Sequence, residues 1–413
     1  MKCRLCKSNK LTEFLDLGHH PPSDQFIKKK DINSQFYYYP LKVVMCEKCK
    51  FHQLNHVVDK EVLYNDDYPY ESSKTKLGYD HFNDFALSVI KNYNLNSKDL
   101  VIDIGSNVGV LLAGFKKNGI KVLGIEPAKN ISKIANKRKI KTINSFFDKK
   151  VLKKIKPQFG TARVITATNV FAHIDDLHLF MKNICFILKK NGVFIIEAPQ
   201  FLHLLKKVEF DTIYHEHLSY ISIKPLSSFF KKFNLEIINI EKKDIHGGSI
   251  RIHVSFKKQF NINPNVKRVI SEENKYKIDN KGVLKNFANK VVMNRMKLTR
   301  LLINLKLNNK KIVALSAPAK GMTLLNYCKI DKDFIDFATE KSSLKRKLFT
   351  PGTLIPVTFD SQIIKSKVDY ALLLAWNFSK EIINNNIKFL KKGGKIIIPI
   401  PKVKIIDIKN YKS

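Results

Sequence analysis

Arginine is scarce in this chain. Of 74 basic residues among 413, only 8 are arginine; the other 66 are lysine, set against 36 acidic residues for a formal net charge of +38. Such a charge invites a nucleic-acid partner. Yet arginine is the side chain favoured for bidentate recognition of phosphates and bases, and neither an aromatic-rich RNA motif nor a recognition-helix pattern accompanies the lysines. The lysines therefore read as solvated surface, nucleic acid is not an expected partner, and an RNA-associated zinc protein remains the alternative of another class. Long apolar runs are also missing. No stretch approaches the length of a membrane span and no signal peptide is evident, so no membrane partner is expected and a reducing cytoplasm is the natural compartment. Internal repeats and low-complexity segments are absent as well. What is present, 44% hydrophobic residues in 413, is enough for two or three domains with cores of their own.

Cysteine is sparse but patterned. Four of the six fall as Cys3-x-x-Cys6 and Cys46-x-x-Cys49, and two such knuckles supply four thiolates to one tetrahedral zinc, a closed site with no position left for catalysis. Reduced structural cysteines or a disulfide pair is the plain alternative. Cys185 and Cys328 lie in apolar helical surroundings and read as inert core thiols.

Leu100 to Gly109, Leu-Val-Ile-Asp-Ile-Gly-Ser-Asn-Val-Gly, reads as a buried parallel strand that ends in a small-residue turn before the helical Val110 to Lys117. A second strand, Lys121 to Ile125, ends at Glu126. A carboxylate about twenty residues past a glycine turn suits two ribose hydroxyls. Gly105 and Gly109 bracket Asn107 without the full G-x-G-x-x-G that places a pyrophosphate on a helix N-terminus, so a nucleoside cofactor lacking phosphates, S-adenosylmethionine, fits better. Strands at Val164 to Thr168, Gly192 to Glu197, Glu236 to Ile240 and Ser249 to Ser255, with a helix over Leu177 to Lys189, continue a doubly wound α/β pattern whose ligands lie beyond the carboxyl ends of its strands. His173 follows one such end, where a capping or surface histidine is equally compatible with the sequence.

Asp211 to His217 reads Asp-Thr-Ile-Tyr-His-Glu-His and sets four proton-transfer or metal-binding side chains in a row, Tyr214 to His217. Imidazole is the side chain whose ordinary pKa lies nearest neutrality, so a general base is sought here. If the segment were extended, His215 and His217 would share a face and form a His-x-His chelate, although no third clustered ligand is evident. A polar surface loop with accidental histidines is the remaining option.

Past residue 258 a long helix over Val269 to Leu307 is expected. A second α/β alternation follows, with strands at Ile312 to Ser316, Phe334 to Ala338, Tyr370 to Ala375 and Lys395 to Pro399 and a helix at Met322 to Tyr327. Lys320 and Gly321 fall at a strand-to-helix turn, where an ammonium and backbone N–H groups meet a phosphate in other folds and where a structural turn is the plain alternative.

Together these motifs resemble the zinc-containing, S-adenosylmethionine-dependent sugar C-methyltransferases, such as the 3-C-methyltransferases of nucleotide-linked 4-keto-deoxysugars. The resemblance runs through the two knuckles with Gln53-Leu54, Asp103 to Gly109, Gly124 to Ala128, Asn169 to Asp176, Asp211 to Tyr220, His246 to Ser249, Ala319-Lys320-Gly321 and Pro351-Gly352-Thr353. It departs at Val108, where an acidic residue is usual, at Ser23-Asp24 for Ala-Asn, and at Glu340 and Lys347 for Asp and Gly. It implies an α/β chain in three parts: a zinc-binding domain (1–75), a Rossmann-like class I methyltransferase domain (76–258) and a C-terminal Rossmann-like α/β domain (259–413). Its implied cofactor set is Asp103, Gly105, Asn107, Gly109, Glu126 and Asn169, with structural zinc on Cys3, Cys6, Cys46 and Cys49. The implied substrate is a small nucleotide-sugar. His217 is the implied base, with Glu216 orienting it, Tyr214 donating to the sugar or its enolate oxygen, and His173 at the mouth of the cofactor site. Tyr70, with Tyr68 in reserve, is the implied substrate contact, and His215 and Lys320 complete the substrate set. An O- or N-methyltransferase built from the same parts is the competing enzyme.

Overall fold

A computed structural model describes residues 1–64, 69, 71–72, 76–245 and 247–411. Three sheets organise them.

The N-terminal sheet is antiparallel: Leu11–His20, Tyr39–Cys46, His52–Leu54 and, from far along the chain, Ser219–Tyr220. The strand that completes it thus begins two residues after His217. The cysteine knuckles and the segment that carries His217 are joined through one hydrogen-bonded ladder.

The middle sheet has seven strands in the spatial order Leu235–Lys243, Ser249–Phe256, Leu188–Pro199, Ala162–Thr168, Leu100–Ile104, Lys121–Glu126 and Thr142–Asn144. Ser249–Phe256 runs antiparallel to both its neighbours, and the five strands beyond it are parallel. All five residues of Leu100–Ile104 are buried, as expected of a continuous apolar run covered on both faces. The strand order reverses between Leu100–Ile104 and Ala162–Thr168, which puts the switch point, and the crevice beyond it, at Asp103, Gly105 and Asn169.

The C-terminal sheet follows the order Val357–Thr358, Ala338–Thr339, Ile312–Leu315, Tyr370–Leu373, Lys395–Ile398 and Lys404–Ile406, parallel except for the last strand. This is the 3-2-1-4-5-6 order of dinucleotide-binding folds, with its switch point between Ile312–Leu315 and Tyr370–Leu373. One apolar core is shared between this sheet and the N-terminal one, taking in Leu41, Val43, Phe201, Phe210, Leu315, Met322 and Leu372. The knuckles themselves, through Cys3, Leu5, Cys46 and Phe51, pack into the core of the middle sheet. The chain is therefore wound together rather than strung out as beads.

Two expected elements differ. The helix over Val269 to Leu307 is two helices, Asn265–Tyr276 and Lys281–Leu307. Lys277 turns left-handed at φ 56°, and the Asn280 side chain accepts from the N–H groups of Gly282 and Val283, which ends one helix and starts the next. The strand expected at Phe334 to Ala338 shrinks to Ala338–Thr339, because Phe334 and Ile335 instead close turns on the Asp331 carbonyl.

Candidate functional site

The cofactor crevice is built at the carboxyl ends of the middle strands. Gly105 and Gly109 take φ of +63° and +79°, where a Cβ at Gly105 would lie 2.5 Å from Val170 Cγ2 and one at Gly109 2.8 Å from Ile140 Cγ2. Neither site admits a larger residue. Asn107, also left-handed at φ 49°, turns its Oδ1 to accept from Val108 N and from Ser72 N at 2.8 Å. The Glu126 carboxylate is 5% exposed and accepts from Asn107 N and Ala128 N, both at 2.9 Å; burial raises its pKa while these bonds oppose the rise. Each oxygen keeps a further lone pair. Asp103 accepts from the Thr166 hydroxyl at 2.6 Å and burial pushes its carboxyl up to about 7. Asn169, left-handed at φ 56°, donates its N–H to the Glu197 carbonyl at 2.7 Å. The six expected cofactor residues thus border one crevice, and the buried carboxylate at the end of the second strand offers acceptors of the kind that two ribose hydroxyls donate to.

The segment Asp211 to His217 is not extended. A turn closed by His217 N on the Tyr214 carbonyl at 2.9 Å sends the two histidines apart. His215 is 1% exposed, with Nε2 on the Tyr39 carbonyl at 3.3 Å, and burial pulls its pKa down to about 4. It packs against Tyr39 of the N-terminal domain, with ring centroids 5.8 Å apart. The His-x-His chelate fails because the turn separates the two histidines; among the described residues the cysteines form the one cluster able to hold a metal.

His217 turns the other way. Its ring lies 4.0 Å from that of Tyr214 and 5.1 Å from that of His173, centroid to centroid. Its Nδ1 is 2.7 Å from the Thr212 carbonyl oxygen, which only accepts, so Nδ1 carries the proton and Nε2 the lone pair of the neutral ring. His173 is half-buried with its Nε2 enclosed, its pKa held well below the usual value by burial and then by the neighbouring His217, and it shares a 2.8 Å hydrogen bond with the Tyr64 hydroxyl. Burial and the carboxylates of Glu216, Glu126 and Asp24 hold the Tyr64 phenol well above its usual pKa. Tyr64 therefore stands within electrostatic reach of Glu126, Glu216 and Asp24 together. Tyr68, Tyr70 and His246 lie outside the described residues. Of the residues flanking the tyrosine pair, Tyr64 is held at His173 and Ser72 at Asn107, so both flanks border the crevice.

The Lys320 ammonium is buried 4.0 Å above the Trp376 ring, close to the carboxyl groups of Asp211 and Glu209, which oppose the fall that burial imposes on its pKa. Sequence reasoning missed the pair of Lys345 Nζ with Asp24 Oδ1 at 2.9 Å, both 5% exposed, which ties the C-terminal domain to the N-terminal one. Asp24 is one of the departures from the family pattern; nothing local to residue 24 points to a partner 321 positions away.

At the knuckles the four Sγ atoms lie within 4.8 Å of one another, with Cys3 to Cys49 and Cys6 to Cys46 each 3.5 Å apart. The edge of a zinc–thiolate tetrahedron is about 3.8 Å, and a disulfide is about 2.05 Å. The set fits zinc and not a disulfide. Both knuckles fold alike: Lys7 N returns to the Cys3 carbonyl and Lys50 N to the Cys46 carbonyl, and both lysines are left-handed, at φ 61° and 62°.

Comparison with known proteins agrees with this anatomy. Residues 3–64 match a zinc binding domain, 79–240 a methyltransferase domain and 244–401 the C-methyltransferase C-terminal domain. The C-methyltransferase NovU of Streptomyces niveus is 31% identical over 407 residues, 98% of this chain and 97% of NovU. Among solved structures, an S-adenosylmethionine-dependent methyltransferase of Clostridium acetobutylicum matches 43% of this chain and 92% of its own, at 15% identity and a TM-score of 0.35. Magnesium protoporphyrin IX methyltransferase of Synechocystis matches 49% and 100%, at 11% identity and a TM-score of 0.36. Scores this low do not bear on activity. The full-length match to NovU does: this chain belongs to the family of S-adenosylmethionine-dependent C-methyltransferases that carry an N-terminal zinc-binding domain.

Proposed function

We propose that this enzyme methylates the carbon next to the ketone, C3, of a nucleotide-linked 4-keto-deoxysugar, with His217 as general base. The observation that carries the reading is the bond from His217 Nδ1 to the Thr212 carbonyl, which presents Nε2 as the proton acceptor beside His173 and the cofactor crevice. Bound S-adenosylmethionine supplies a methyl group on a positively charged sulfur, an electrophile that needs no activation. The task left to the protein is to make and aim a carbanion equivalent.

His217 Nε2 takes the proton from C3, and the electrons of that C–H bond move into the enolate. The Tyr214 hydroxyl donates to the developing enolate oxygen, and Glu216, a buried carboxylate next to His217 in the chain, favours the protonated form of the histidine. The enolate carbon then forms the new C–C bond as the sulfur–methyl bond breaks, its electron pair remaining on sulfur. Glu126 holds the ribose of the cofactor, with Asp103, Gly105, Asn107, Gly109 and Asn169 shaping the rest of its crevice. Tyr70 or Tyr68 completes the substrate side. Zinc on Cys3, Cys6, Cys46 and Cys49 is structural and takes no part. NovU is named a C-methyltransferase, which favours carbon over oxygen or nitrogen as acceptor. Incubation with S-adenosylmethionine and a panel of nucleotide-linked 4-keto-deoxysugars tests the proposal. A product one methyl heavier, with the new carbon bonded to C3, is expected; a methyl on oxygen or nitrogen contradicts it.

A further inference from the structure

Open α/β sheets take their ligands in the crevice at the switch point. In the C-terminal sheet that crevice lies between helix Ala319–Cys328, which follows Ile312–Leu315, and the short 3-10 turn Trp376–Phe378, which follows Tyr370–Leu373. What enters it is protein. The 3-10 turn Phe210–Thr212 of the catalytic segment docks there, with the Phe210 ring 5.4 Å from that of Tyr327. Trp376 Nε1 donates to Asp211 Oδ2 at 2.6 Å, and the Thr323 hydroxyl donates to the Ile213 carbonyl at 3.0 Å. Asp211 and Thr323 are 0% and 1% exposed. The Lys320 ammonium, stacked on the same indole, offsets the charge of the buried carboxylate.

The residue between the two anchored positions is Thr212, and its carbonyl accepts from His217 Nδ1. We infer that the C-terminal domain uses its switch point as a clamp on the catalytic segment. Trp376 and Thr323, through Asp211 and Ile213, are positioning residues that hold the Thr212 carbonyl where it keeps the proton of His217 on Nδ1 and the lone pair on Nε2. The inference rests on His217 being the base. It assigns the C-terminal domain a part in catalysis separate from substrate binding. A carbonyl free to shift would let the imidazole populate the other tautomer, which cannot accept a proton at Nε2, and misplacement of about 1 Å at a reacting centre costs on the order of 100-fold.

The test uses full-length Thr323→Val, which removes a hydroxyl at nearly constant volume, Thr323→Ser, which restores it, and Trp376→Phe, which removes the indole donor together with part of the ring. Each is assayed for turnover, for solvent hydrogen exchange at the substrate carbon with S-adenosylhomocysteine bound, and for the His217 tautomer by nitrogen-15 NMR. Turnover and exchange are expected to fall together by about 5- to 50-fold in Thr323→Val and Trp376→Phe. KM and S-adenosylhomocysteine affinity should stay within about twofold of the unmutated enzyme, the His217 signal should move toward a mixture of tautomers, and Thr323→Ser should recover most of the loss. A Thr323→Val protein with unchanged turnover and a single tautomer overturns the clamp, even if its thermal midpoint drops and even if Trp376→Phe fails to fold. Failure of the underlying reading looks different: there His217→Asn itself retains full turnover.

Discussion

At the residue scale, two buried carboxylates in one crevice serve by different means. Glu126 is pinned by two backbone N–H groups and is the proposed ribose ligand. Glu126→Ala is expected to weaken S-adenosylmethionine by about 1–3 kcal/mol, the usual cost of losing a hydrogen bond to a charged group; an unchanged dissociation constant by calorimetry would remove the ribose assignment. Asp103 has one hydroxyl donor and a carboxyl pushed up to about 7. In the unfolded chain that pKa returns to about 3.9. Between those values the folded cofactor-free protein holds a proton that the unfolded chain has released, so its stability is greatest below about pH 4 with respect to this group and declines as pH rises to 7. Asp103→Asn keeps an acceptor for Thr166 and should flatten that decline, by up to about 4 kcal/mol across the interval. Denaturant unfolding at pH 5 and pH 8 measures it, and parallel pH dependence in the variant and the unmutated protein would place the titrating group elsewhere.

At the element scale, legibility followed length. Leu100–Ile104 and Ala162–Thr168 announce themselves because a parallel strand covered on both faces must be apolar throughout. Val357–Thr358 and Ala338–Thr339, two residues each, carry no period to detect. The zinc knuckles were legible because thiolate spacing is itself the signal. The turn at Tyr214 to His217 was not: it separates His215 from His217 by packing one against Tyr39 and the other against His173, neighbours that no local pattern names. The knuckles also fasten the first strand pair to the middle core. Cys46→Ser should therefore cost folding more than chemistry, with loss of the one zinc held per chain. A Cys46→Ser protein that keeps its thermal midpoint and loses only turnover would contradict a structural role.

At the scale of the whole molecule, the site belongs to no single domain. Tyr64 comes from the N-terminal part, His173 and His217 from the middle and the clamp residues from the C-terminal part, while the Asp24–Lys345 pair joins first and last. This convergence explains which roles the sequence concealed. Trp376 and Asp211 are 165 positions apart. The central claim is that His217 removes a proton from carbon. With S-adenosylhomocysteine in place of the methyl donor, a nucleotide-linked 4-keto-deoxysugar in deuterated water should exchange the hydrogen at C3, and His217→Asn should slow that exchange by about 10²–10⁴-fold while both ligands still bind. Exchange that persists in His217→Asn, or none in the unmutated enzyme, would contradict the account.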